Sequence, residues 1–187
     1  MKTILLDLGG VVFESVGKSS PIIDWKIVSA LNNKYGHQLN IGTLEATVFL
    51  AEYNAQTHQN LSLEQFLEAI FDTIQFNQEL VANLSARYEI YILSDNYREN
   101  IAYISKRYRF EDWSKGQFYS FDFGVGKYEG TLLFEQVLNA LGKPANEVLF
   151  IDDSADKLEN ASQIGIQGIQ FKNNQQVFQE LEKITLK

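Results

Sequence analysis

The chain has 187 residues, 45% of them hydrophobic, enough for a sizeable core in one domain with an insertion or in two small domains. Its 24 acidic against 16 basic residues leave a net charge of -8, which repels polyanions, so neither nucleic acid nor an anionic membrane is an expected partner. Cysteine is absent, which excludes disulfides, thiolate metal sites and a cysteine nucleophile.

In chain order, the first apolar run covers residues 3 to 6 and stops at Asp7. That is too short for a secretion signal, and no small-residue cleavage site follows. No later stretch approaches the 18 or more apolar residues of a membrane span, so a cytoplasmic protein is expected. From about Ser15 to about Gln75 the pattern is helical. Pro21 opens a segment with Ile23, Ile27, Val28 and Leu31 on one face, Thr43 precedes Leu44, Val48 and Phe49, and Ser62 with Gln65 forms a capping box before Phe66, Ile70 and Phe71. Trp25, Phe49, Phe66 and Phe71 read as the core of this segment, with Tyr53 and Asn54 available to a substrate if they face the rest of the molecule.

Residues 89 to 93, 148 to 151 and 167 to 171 repeat the short apolar pattern of buried parallel strands. Helical patterns lie at about 97 to 108, about 131 to 141 before Gly142, about 155 to 164 before Gly165, and about 174 to 184. Trp113, Phe118, Tyr119, Phe121 and Phe123 include a fifth strand. The basic run Lys106-Arg107-Tyr108-Arg109 complements a helix end rather than marking a nucleic-acid patch. Strands alternating with helices predict an α/β fold with a doubly wound parallel sheet. A plain crossover takes roughly 30 residues, yet Asp7 and Ser94 are 87 apart. The excess is an insertion: residues 1–14 and 76–187 form the core, and 15–75 a helical cap over the carboxyl ends of the strands, where such sheets bind ligands.

Four fragments carry chemistry: Ile4-Leu5-Leu6-Asp7-Leu8-Gly9-Gly10, Tyr91-Ile92-Leu93-Ser94-Asp95-Asn96, Gly124-Val125-Gly126-Lys127-Tyr128-Glu129 and Leu149-Phe150-Ile151-Asp152-Asp153-Ser154. In this order, with a cap-sized gap after the first, they resemble motifs I to IV of the haloacid dehalogenase-like (HAD) hydrolase superfamily with its C1 cap and Rossmann-like core. Asp-Leu-Gly in the first fragment and Ile-Asp-Asp-Ser-Ala-Asp in the fourth are most similar to its small sugar-phosphate phosphatases. The resemblance implies an Mg²⁺-dependent phosphomonoester hydrolase acting on a small phosphorylated metabolite, such as a sugar phosphate. Asp7 is then the nucleophile that forms an aspartyl-phosphate, and Lys127 neutralises the transferring group and orients Asp7. Ser94, Asp95, Asn96 and Lys127 bind the substrate phosphate. Asp7, the Gly9 backbone carbonyl, Asp152 and Asp153 hold the metal, with hard oxygen donors suited to Mg²⁺.

The departures from the family pattern are informative. The second aspartate of motif I, the usual general acid, is Gly9 here, a loss of about 10²- to 10⁴-fold in rate unless it is replaced. Glu14, Asp95, His37 and His58 are candidates to replace it. Otherwise the enzyme should favour leaving groups that need little protonation: an anomeric sugar phosphate, an acyl phosphate or an aryl phosphate. The usual Asn or Asp of motif IV is Lys157, with Asp156 beside it, and the proline usual after the motif III lysine is Tyr128. Two alternatives differ in class. A metal-independent haloacid-type dehalogenase also lacks the second motif I acid, but an acidic pair like Asp152-Asp153 would repel its anionic substrate. A non-catalytic HAD-fold binding or regulatory protein would keep the architecture without turnover.

Overall fold

The computed structural model describes residues 2–17 and 19–185; Met1, Lys18, Leu186 and Lys187, and the parts of the expected domain ranges that include them, lie outside the described residues. The chain begins with β1 (Thr3–Leu6) and β2 (Phe13–Ser15), and continues through the helices α1 (Trp25–Asn40), α2 (Ala46–Thr57) and α3 (Leu63–Phe71) to β3 (Ile74–Phe76). It then runs through α4 (Gln78–Ser85), β4 (Glu89–Ser94), α5 (Arg98–Tyr108), β5 (Gly116–Tyr119) and the short α6 (Ser120–Phe123). The last third holds α7 (Leu132–Leu141), β6 (Val148–Asp152), α8 (Ala155–Ser162), β7 (Gln167–Gln170) and α9 (Asn174–Thr185).

Five strands form a parallel sheet in the order β5-β4-β1-β6-β7. Every residue of β1 and β6 is buried, because helices cover both faces of the sheet. Side chains alternate between two cores, as the two-residue strand period requires. Ile4, Leu6, Ile92, Leu149 and Ile151 pack with α4, α5 and α9. Leu5, Leu93 and Phe150 pack with α7 and α8 on the other face. The chain steps outward from β1 to β4 and β5, then crosses to β6 and β7 on the other side. That reversal puts a crevice at the carboxyl end of β1, where Asp7 follows.

The insertion leaves and returns through an antiparallel pair, β2 with β3, in which Phe13 faces Phe76 and Ser15 faces Ile74. The expected core and cap limits, 14/15 and 75/76, thus fall inside paired strands. Neither this stem nor α4 was expected from the sequence; the stem escaped because three-residue strands leave no periodic signal. In α3 the Ser62–Gln65 capping box forms as predicted, with both reciprocal bonds present. For α2 the start lies further on than Thr43. The helix begins at Ala46, whose N–H donates to Glu99 Oε1 of α5 at 3.0 Å, so the core supplies the cap that the local sequence lacks.

The aromatic expectations divide. Phe49 and Phe66 are buried within the inserted helices, but Phe71 joins the core under the sheet and Trp25 is exposed. Tyr53 is fully buried, accepting from Asp24 N–H and donating to the Ile22 carbonyl, and Asn54 braces Leu61, so both side chains are engaged within the insertion. The aromatics before Lys127 do include the expected fifth strand, β5, which holds Phe118 and Tyr119. Phe121 and Phe123 belong to α6, and Trp113 precedes the strand. No helix among the described residues is long and apolar enough to cross a membrane.

Candidate active site

Strand ends bring the motif residues together. Asp7 follows β1, Ser94 ends β4, Asp152 ends β6 and Asp153 follows it. Lys127 comes from the loop between α6 and α7 and is fully buried, as is Asp152, with Asp7 nearly so. Its ammonium donates to Asp7 Oδ1 at 2.7 Å, to Asp152 Oδ2 at 2.6 Å and to the Leu93 carbonyl at 3.2 Å. The loop is pinned from two sides. Asp95 accepts the Lys127 N–H through both carboxylate oxygens, at 3.1 and 3.2 Å, and Asn160 of α8 donates to the Lys127 carbonyl at 3.0 Å. Glu129 closes the loop on itself, accepting the Gly126 N–H at 2.6 Å.

One carboxylate oxygen each from Asp7, Asp152 and Asp153 lies within 4.8 Å of the others. This trio of hard donors fits Mg²⁺ or another oxygen-loving divalent cation rather than a soft metal. Lys157, from the first turn of α8, places its Nζ 3.9 Å from Asp7 Oδ2 and 3.7 Å from Asp152 Oδ1. Gly10 holds a positive φ of 75°, and a Cβ there would stand 2.5 Å from Asp153 Oδ2, so only glycine lets this acid approach the turn after Asp7. At Gly9, by contrast, a Cβ would meet nothing within 4 Å.

The electrostatics are opposed. Burial pushes the Asp7 pKa up to about 6, against the pull of Lys127, and the neighbouring Asp152 charge raises it further. Asp152 pays for burial too, but Lys127 and Lys157 hold it below the ordinary carboxylate range. Lys127 is raised, because the charges of Asp7, Asp152 and Asp95 outweigh its own loss of hydration. Burial and the Asp152 charge raise Asp153.

The remaining predicted residues divide by geometry. The carboxylate of Asp95 is committed to the Lys127 loop. The amide oxygen of Asn96 accepts from Tyr97 N–H and from Asn100, so what Asp95 and Asn96 could offer an anion is N–H, from the main chain and from the Asn96 amide nitrogen, and no carboxylate or carbonyl oxygen. Glu14 accepts from Asn77 beside the β2–β3 stem, and His58 terminates α2 in the left-handed conformation. His37 pairs with Glu129 at 3.1 Å, linking the end of α1 to the Lys127 loop. The basic run is used locally, Arg107 pairing with Asp72 and Arg109 with Asp112. Asn160, Glu129 and the reach of Lys157 were missed in the sequence. Asn160 lies outside the four fragments, Glu129 stands in the third of them but was given no role, and Lys157 was read only as a lost polar group.

No family model matches the chain. Solved structures do. A predicted HAD-like family hydrolase from Porphyromonas gingivalis superposes with a TM-score of 0.77 at 17% identity, over 100% of this chain and 98% of that one. A HAD family enzyme from Bacteroides thetaiotaomicron, in complex with magnesium and inorganic phosphate, gives 0.73 at 23% identity over 92% and 94%. This is the HAD-like fold. A 2-haloacid dehalogenase from Pseudomonas syringae pv. Tomato also shares it, with a TM-score of 0.61 at 17% identity over 91% and 86%. Because the HAD-like fold carries both kinds of chemistry, the site residues and not the architecture must discriminate between them.

Proposed function

We propose that this protein is a magnesium-dependent phosphomonoester hydrolase acting on a small phosphorylated metabolite through an aspartyl-phosphate on Asp7. The observation that carries the reading is the buried lysine bound by two acids, Lys127 with Asp7 and Asp152, beside a third acid, Asp153. Lys127 and Lys157 face only two of the three carboxylates, so without a metal the site keeps a net negative charge that disfavours a haloacid anion, which counts against the dehalogenase reading. The Bacteroides enzyme of the same fold, in complex with magnesium and inorganic phosphate, supports the choice.

In the first step an Asp7 oxygen attacks phosphorus, and the bond from phosphorus to the leaving oxygen breaks with its electron pair going to that oxygen. The leaving oxygen takes a proton from solvent; water then attacks the aspartyl-phosphate and releases a proton to solvent, the phosphorus–Asp7 bond breaks, and the carboxylate is regenerated. Lys127 orients Asp7 and neutralises charge on the transferring group. Ser94 holds a phosphoryl oxygen by its hydroxyl, and Asp95 and Asn96 do so by main-chain N–H. A magnesium ion held by Asp7, Asp152, Asp153 and the Gly9 carbonyl would supply the positive charge that lets one anion approach another.

Gly9 offers no acid to the leaving oxygen, so the substrate must expel its leaving group with little protonation. Adjacent to Asp95 and Asn96 lies a cleft of about 320 Å³ between inserted helices and core, walled by Trp25, Phe49, Phe66, Ile70 and Tyr97. Among the described residues that line it, Asp95 is the only charged one. An uncharged leaving group with a ring fits this wall better than a second phosphate or a carboxylate. The test is phosphate release from aryl, anomeric and alkyl phosphates with Mg²⁺ or chelator, repeated with Asp7→Asn. Release should require the ion, fall at least 10³-fold in the variant, and steepen as the leaving-group pKa drops. Equal release by both proteins would refute the nucleophile, and halide release from a 2-haloacid under chelator would install the dehalogenase instead.

A further inference from the structure

Lys157 has no part in the reaction just described, and its position is unfavourable by local rules. It is the third residue of α8, in the first turn, where the positive end of the helix dipole disfavours a cation by about 0.3–1 kcal/mol. Its neighbour Asp156 is the residue type that this turn favours. What offsets the misplaced charge lies across the site. The Lys157 ammonium faces Asp7 Oδ2 and Asp152 Oδ1, while Lys127 takes Asp7 Oδ1 and Asp152 Oδ2. Both oxygens of both acids therefore face a lysine, and two ammonium charges balance two of the three carboxylates in the trio.

The two lysines hold differently. Lys127 sits at hydrogen-bond distance with its side chain fully buried. Lys157 stays at 3.7 to 3.9 Å with 22% of its side chain exposed, beyond direct hydrogen bonding and with a path to solvent. A divalent ion bound by the trio would share those carboxylates with an ammonium only a few ångströms away. Like charges at that range repel enough to change affinity about tenfold or more, even in a partly hydrated site.

We propose that Lys157 is a tethered counter-cation of the Asp7–Asp152–Asp153 trio that a divalent ion must displace, so that the chain gives up metal affinity to keep its acids together without metal. The inference rests on the metal centre proposed above. The residue positions and neutralises; it does not touch the reacting atoms.

The experiment is a calorimetric titration of Mg²⁺ into chelator-treated wild type, Lys157→Met, Lys157→Asn and Lys157→Arg, with folding checked by circular dichroism. Met removes the charge without adding a donor, Asn removes it and adds one, and Arg keeps it. Met and Asn should each bind Mg²⁺ at least tenfold more tightly than wild type, while Arg stays within about twofold. The metal-free Met variant should also melt below metal-free Arg, since its trio has lost a balancing charge. Unchanged or weaker binding by Met overturns the proposal. A gain in Asn alone also overturns it, because the cause would then be a new oxygen ligand. If no protein, wild type included, binds Mg²⁺ at millimolar concentration, the metal centre itself fails and the inference falls with it. Should Met not fold, Lys157→Leu, which likewise removes the charge and adds no donor, takes its place with the same expected gain.

Discussion

Asp7 is held where its charge is least welcome. Its pKa of about 6 lies above the ordinary 3.8, so its contribution to stability is fully present below about pH 4 and lost as pH rises through about 6. Asp7→Asn escapes that loss. Without metal, the variant should match wild type near pH 4 and exceed it at pH 7.5 by on the order of 2 kcal/mol, read by chemical denaturation with chelator. A less stable variant at pH 7.5 would show that the Lys127 pairing outweighs desolvation. Gly9 and Gly10 make opposite predictions. A side chain at Gly9 enters open space, so Gly9→Asp should keep the fold and raise turnover of alkyl phosphates by about 10²-fold, with a much smaller gain for aryl phosphates. An equal gain for both classes would mean that leaving-group protonation was never limiting. Gly10→Ala meets both a positive φ and Asp153, and should cost about 1–2 kcal/mol in stability while weakening Mg²⁺ binding. At this scale the chain was largely readable: Asp7, Ser94, Asp152 and Asp153 end apolar runs, and such endings are visible in one dimension. The aim of Lys157 was not, because spacing along a helix does not say which acids from other strands its tip will meet.

Among the elements, long periodic segments were legible and short ones were not. Strands β1, β4, β6 and β7 and helices α5, α7, α8 and α9 lie within a residue or two of their apolar patterns. The β2–β3 stem escaped notice, since three residues show no alternation to count. The start of α2 was misplaced because its N-terminal N–H is satisfied by Glu99, 53 residues away, and not by a neighbour. That borrowed cap joins an inserted helix to a core helix. Glu99→Ala should therefore cost about 1 kcal/mol despite lying in α5. It should also speed hydrogen exchange in the first turn of α2 more than in α5 itself; faster exchange confined to α5 would show that the carboxylate serves only its own helix. At the other end of the insertion, Glu129 ties His37 of α1 to the loop carrying Lys127. Hydrogen bonds from Gly126 N–H and His37 keep its pKa below the ordinary range, although burial acts the other way.

For the whole molecule, the doubly wound sheet followed from the alternation of patterns, and the insertion from the excess length between Asp7 and Ser94. How far the inserted helices are woven into the core did not follow. Leu67 and Phe71 of α3 belong to the core cluster beneath the sheet, and Ser120 of α6 donates to the Asn40 carbonyl at the end of α1. If the acidic trio binds Mg²⁺ only in the folded state, the ion at about a hundred times its dissociation constant should add about 2.7 kcal/mol of stability. That raises the melting temperature by roughly 5–10 °C for a chain of this size, and Asp7→Asn should erase most of the rise. The hydrogen-bonded stem has a further consequence. It pins the two ends of a long excursion side by side, about 5 Å apart. With closure already secured there, doubling the excursion would cost only about 0.6 kcal/mol in chain entropy. Length can thus be added to or taken from the loops between the inserted helices at little entropic cost, provided Leu67 and Phe71 keep their places in the core, while the turn from Asp7 to Phe13 keeps its shape.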